Sequence, residues 1–183
     1  MLSTPTVSAS FVPNRYGHAI FKINGSGLTG AEEINLFFSE GYFLNSHAVE
    51  IFKSSGSNGY NARHRLIAGQ EYGIVLMPGD VIVEKSERTT ENLRNVGMRH
   101  YGYGEPFAGM IPPIRRKISN EQMKEMNIWA ITVLHCSIAD HLGDSFMLRI
   151  SRGGSGQFVV GYYDTLGNLW SGDDMFAFPF PLS

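Results

Sequence analysis

The sequence predicts an α+β domain in which a mainly antiparallel, β-rich body packs against one long helix near residues 120–142. Three observations predict it. Short apolar runs are punctuated by glycine, proline and serine turns along the whole chain. The links between the first of these runs are shorter than the crossovers that parallel βαβ units require. A stretch with both helix-start and helix-stop signals precedes the best-marked hairpin. The body is then either a sandwich flanked by the helix or a curved sheet wrapped around it. With 183 residues the chain is read as one domain, and a subdomain junction, if there is one, falls at 110–118, where Pro112 and Pro113 stiffen the connection.

Residues 19–23 alternate Phe21 and Ile23 with Ile20 and Lys22, a strand pattern. After a turn at 24–30, residues 31–38 read two ways. Thr29 and Glu32 make a capping box for a short helix, whereas Ile34, Leu36 and Phe38 alternate as in a strand. Residues 47–53 read as a strand with Val49 and Ile51 inward, and 65–67 begin another. Residues 72–77 and 81–85 read as a hairpin across Pro78, Gly79 and Asp80. The polar stretch 87–99 holds irregular turns, and 100–107 is a glycine-rich loop unusually dense in aromatics.

The long helix starts at a capping box of Ser119 and Gln122, and Gly143 is placed to end it. Between them Ile131, Leu134, Ile138 and Leu142 recur as an apolar stripe. A rival reading breaks the element near Asn127 and makes 128–138 a buried strand, because Ile128, Ile131, Thr132 and Val133 are β-branched. Residues 145–150 and 157–163 form a hairpin across Gly153, Gly154 and Gly156. In the tail Phe176, Phe178 and Phe180 alternate, but Pro179 and Pro181 argue against a regular central strand.

Hydrophobic residues make up 43% of the chain and charged residues 17%, which excludes wholesale disorder. A net charge of −2 gives no general attraction to nucleic acid or to an anionic bilayer. No apolar run reaches the roughly 18 residues of a spanning helix. One cysteine and the lack of a visible signal peptide lean toward the cytoplasm.

Several motifs invite chemistry. Gly25, Gly27 and Gly30 match the G-x-G-x-x-G pattern of dinucleotide-binding turns, with Glu50 where a ribose-binding acid would be sought. In a chain with 21 glycines a plain glycine turn accounts for them. Cys136 is the candidate nucleophile of a cysteine-dependent hydrolase, with His47 or His141 as the nearby base and His64 and His100 as further choices. An inert buried thiol is the simpler reading. His135 and His141 are six apart, which does not suit a two-histidine metal site on a helix, and capping explains Asp140, His141 and Asp144. Asp164, Asn168, Asp173 and Asp174 offer oxygens but lack the spacing of a calcium loop. Neither a metal nor another cofactor is expected.

The aromatic inventory is the stronger signal. Tyr101, Tyr103 and Phe107 in the loop, with Tyr162 and Trp170 around the final hairpin, form a candidate ligand surface, because tyrosine and tryptophan offer a rigid apolar face and a polar handle. The function expected is therefore a non-catalytic binding or interaction module for a glycan, a lipid head group or a protein surface. The alternatives are the Cys136 hydrolase and a structural subunit of a larger assembly, homo-oligomeric or mixed, closed by the phenylalanine tail.

Overall fold

The computed structural model describes residues 11–153, 156–165 and 167–181. Nine strands form a single sheet rather than two stacked ones: β1 (Val12–Pro13), β2 (Ala19–Asn24), β3 (Phe43–Leu44), β4 (Glu71–Pro78), β5 (Ala130–Val133), β6 (Ile138–Ala139), β7 (Ser145–Arg152), β8 (Gln157–Tyr163) and β9 (Met175–Phe180). Their order is β1-β2-β4-β9-β5-β7-β8-β3, with β6 paired to β7. Neighbours run antiparallel except β5 with β9 and β3 with β8. The helices are short: α1 (Gly30–Ser39), α2 (Ser46–Lys53), α3 (Thr90–Asn95), α4 (Ile111–Lys117) and α5 (Asn120–Glu125). No helix among the described residues is long and apolar enough to cross a membrane.

Both faces of the sheet are covered, and strand alternation decides which side chain goes where. Ile74 and Leu76 of β4 join a core roofed by α1, α2, α4 and α5, through Phe37, Phe52, Ile114 and Met123. Val75 and Met77 join a second core with Leu93, Tyr103, Trp170, Phe176 and Phe178. A strand buried on both faces reads as a continuous apolar run, as β4 does.

The predicted helix over 120–142 is corrected. Its capping box is real, with Ser119 Oγ accepting from Gln122 N at 3.2 Å and Gln122 Oε1 accepting from Ser119 N at 2.9 Å. The helix stops at Glu125 because Asn127 takes φ +54° and closes a Schellman motif. Ile128 N donates to Met123 O at 2.7 Å, Asn127 N to Lys124 O at 3.0 Å, and the Met123 and Ile128 side chains share the helix-side core. The chain then enters β5, all four residues buried between β9 and β7, so the rival reading lies nearer the fold. The supposed stripe disperses: Ile131 and Ile138 face one core, Leu134 the other, and Leu142 is 75% exposed.

Further expectations change or are resolved. Residues 47–53 are helix α2, whose buried residues Ala48, Ile51 and Phe52 have helical spacing, and whose N-cap Asn45 accepts from Ala48 N. Residues 81–85 form no strand. Instead the chain leaves the sheet through a 3₁₀ turn at Gly79–Val81, and the neighbour of β4 becomes β9. The ambiguous 31–38 segment is helix α1, capped by Thr29 and Glu32 as one reading required. Finally, β9 is central despite Pro179. β5 pairs only with Met175 to Ala177, so the missing N–H of Pro179 lies beyond the end of that ladder.

Past the two residues of β3, the outer edge of β8 is completed by a side chain. The Asn45 amide donates to Gly161 O at 3.1 Å and accepts from Gly161 N at 2.8 Å, as a further strand would. Gly161 permits this approach, since a Cβ there would lie 2.7 Å from the carbonyl carbon of His47. The same Asn45 oxygen caps α2, so Asn45→Ala is expected to lower stability by about 2 kcal/mol in urea unfolding.

Candidate functional site

The aromatic loop folds back on the sheet. Tyr103 is buried against Phe178 and Phe180, and its hydroxyl accepts from Asn14 Nδ2 at 2.9 Å while lying 2.7 Å from His18 Nδ1. Burial raises the Tyr103 hydroxyl pKa and lowers that of His18. Tyr101 stacks on Tyr103 at 5.6 Å, and the exposed Tyr16 meets Tyr101 edge-on at 4.7 Å. Phe107 packs beside His64 against the other core. Trp170 is 2% exposed, set between Tyr162 and Phe176, and its Nε1 donates to Thr90 Oγ1 at 3.0 Å. Of the five predicted contact residues, Tyr103 and Trp170 are core, Tyr101 and Phe107 are half-buried, and Tyr162 is exposed.

A cleft of about 540 Å³ lies beside Thr90, the partner of Trp170, and none of the five predicted residues lines it. One wall is α3 and the turn after it, with Thr90, Glu91, Arg94, Asn95, Met98 and Arg99. The other is the start of the β8–β9 connection, with Asp164, Thr165, Gly167 and Asn168. Asp164 is committed to the fold: its oxygens accept from Thr90 Oγ1 at 2.9 Å and from Ser137 Oγ. Arg94 is not. Half-buried, it makes no ion pair among the described residues, and its described hydrogen bond runs from Nη2 to Cys136 Sγ at 3.5 Å. The Cys136 thiol in turn donates to Glu105 Oε1 at 3.5 Å.

The structure places the candidate bases of Cys136 elsewhere. His47 stacks on Phe146 at 4.4 Å and meets Tyr163 edge-on, and His141 pairs with Glu50 at 3.2 Å. The buried histidines on the Cys136 side are His135 and His64, with rings 5.1 Å apart. His135 is held as the neutral Nδ1–H form, donating to Cys136 O at 2.7 Å while Nε2 accepts from Leu148 N at 3.0 Å. Burial pushes its pKa down to about 3 and that of His64, whose Nδ1 accepts from Ala108 N, down to about 4. Neither is poised to take a proton at neutral pH.

The oxygen-rich tail residues also separate. Asp174 is buried in an ion pair with Arg149 at 3.1 Å, Asp173 is exposed, and Asn168 Nδ2 donates to Tyr163 O. The three glycines of the G-x-G-x-x-G pattern do stand between a strand and a helix, but their role is steric. A Cβ on Gly25 would lie 2.1 Å from Ile67 O, one on Gly27 2.6 Å from Ala68 Cβ, and one on Gly30 1.6 Å from Phe52 O. The N-terminus of α1 is already satisfied by Thr29, Glu32 and Asn61, whose Oδ1 accepts from Gly30 N at 2.8 Å.

Sequence reading missed Arg94, Arg99 and Asn95. The available signal was Thr89 three residues before Asn92, an N-cap followed by Leu93 and Val96 at helical spacing, which turns Arg94 away from the apolar side. Comparison of this chain with protein families, curated proteins and solved structures finds no match.

Proposed function

We propose that this chain is a non-catalytic binding module whose cleft between α3 and residues 164–168 holds a small polar ligand bearing an anionic group, of the chemistry shared by a sugar phosphate and a phospholipid head group. The observation that carries the reading is Arg94, a half-buried guanidinium at the cleft wall with no carboxylate partner among the described residues. A guanidinium presents a planar fork of donors that matches phosphate or carboxylate. Arg99 adds a second positive charge, while Glu91, Asn95 and Asn168 supply groups for hydroxyls. The volume of about 540 Å³ is in the range of small-molecule pockets.

The stacked Tyr101 and Tyr103 and the buried Trp170 support this site as a rigid framework rather than as the contact surface first expected of them. A hydrolase centred on Cys136 has less support, since the candidate bases His47 and His141 are engaged with other residues and the thiol donates to the Glu105 carboxylate. Self-assembly through the tail also has less support, because Phe176 and Phe178 fill this chain's own core.

A thermal-shift panel of inorganic phosphate, glycerol phosphate, glucose phosphates and neutral sugars tests the reading. Phosphorylated ligands are expected to stabilise the protein, and Arg94→Gln is expected to weaken them about 10- to 100-fold, the equivalent of one charged hydrogen-bonding partner. Equal stabilisation by neutral sugars, or undiminished binding in the folded variant, overturns it.

A further inference from the structure

A second group of ligating side chains lies outside the cleft, where α2 passes the tight turn joining β6 to β7. Glu50 of α2 and Asp140 and His141 of the turn each bring one ligand atom to within 4.8 Å of the others, and His141 Nδ1 stands 3.2 Å from Glu50 Oε2. We propose that these three residues form a site for a first-row divalent cation of the zinc type, which ties α2 to the β6–β7 turn.

The trio is brought together by the fold and not by sequence, since Glu50 and His141 are 91 positions apart. The frame on either side is fixed. His47, one turn before Glu50 on the same helix face, stacks on Phe146, and Ala139 pairs with Ser145 at the base of the turn. Asp140 is held in place because its Oδ1 accepts from Leu142 N at 2.8 Å and from Asp144 N at 2.9 Å. That leaves Oδ2 without a hydrogen-bond partner among the described residues. One turn earlier on α2, the buried Nδ1 of His47 also lacks a hydrogen-bond partner among the described residues.

The donor set selects the metal class. One imidazole nitrogen with two carboxylates suits zinc and its first-row neighbours, whereas calcium and magnesium favour oxygen alone. Ligand atoms around zinc stand about 3.3 Å apart, so the long Glu50 and the exposed His141 must draw in, which their exposure permits. As a bare ion pair, with side chains 71% and 35% exposed, His141 and Glu50 contribute little, and that pairing gives Asp140 no part.

Titration calorimetry of the full chain with Zn²⁺ tests the proposal, with His141→Ala and Glu50→Gln alongside and Ca²⁺ and Mg²⁺ as comparison ions. One zinc site of micromolar affinity is expected, weakened about tenfold or more in each variant, with much weaker calcium and magnesium binding and a zinc-dependent rise in melting temperature. Zinc affinity no tighter than millimolar at neutral pH overturns the proposal. So does binding of unchanged strength in both variants, which places the ion on other residues such as Cys136.

Discussion

Between pH 6.5 and about 4, the folded protein is expected to lose stability at up to about 2.7 kcal/mol per pH unit, because two imidazoles that are neutral when folded take up protons on unfolding. His64 and His135 are the groups. Burial holds them at about 4 and about 3, against 6.5 in the unfolded chain. Above pH 7 both states carry neutral rings and the pair contributes no pH dependence. Below 6.5 the unfolded chain binds more protons than the folded one, so stability falls with pH and levels off only once the folded values are passed. His64→Gln is expected to flatten the slope by about one proton, or about 1.4 kcal/mol per pH unit. Urea unfolding at a series of pH values reads this directly. A stability that stays level from pH 7 to 5 would show that these rings reach water.

Arg116→Ala is expected to cost about 3 kcal/mol or more. Glu33 is a buried carboxylate, its side chain 1% exposed, held by Arg116 at 2.9 Å and by Ser26 Oγ at 2.6 Å. Arg116 also bonds Glu40 at 2.8 Å and lies over the Phe37 ring at 4.6 Å, so it fastens α4 to α1. Truncation leaves Glu33 buried with one hydroxyl for company, and an unpaired buried charge is far more costly than the pair itself contributes. The double variant Glu33→Gln with Arg116→Met is expected to recover a large part of the loss in urea unfolding. If the double variant is no more stable than Arg116→Ala, the unpaired Glu33 charge is not the main loss, and the bond of Arg116 to Glu40 or its charge over Phe37 carries more of it.

What the sequence disclosed and what it concealed follow from how local each determinant is. The capping boxes at Thr29 and Ser119 are four-residue signals, and both mark helix starts in the fold. The β7–β8 hairpin was legible because the alternation of Phe146, Leu148 and Ile150 meets a glycine turn within one window. The end of α5 was hidden because its stop is an asparagine in the left-handed region, a weaker sign than glycine, followed by an apolar run that also fits a helix. α2 was hidden because its cap, Asn45, lies outside the apolar run, and its second task on Gly161 is set by chain 116 residues away. Pro179 in β9 is tolerated only because β5 is short, which no window around Pro179 shows.

The proposed cleft was less legible. None of the five aromatic residues read from the loop and the final hairpin lines it, although Trp170 Nε1 donates to Thr90 in its wall. The residues that give the cleft its chemistry depend on distant apposition, Arg94 meeting Cys136 across 42 positions. Tyrosines and tryptophan stand out in composition, and an arginine in a polar stretch does not.

The most direct test of the proposed binding cleft is a two-dimensional NMR titration of the isotope-labelled chain with glycerol phosphate, reading backbone amides and the Arg94 Nε–H. Shifts concentrated on residues 89–99 and 164–168, saturating together and lost in Arg94→Gln, are the predicted result. Shifts centred on Tyr16 and Tyr101, or a response unchanged in Arg94→Gln, would contradict it.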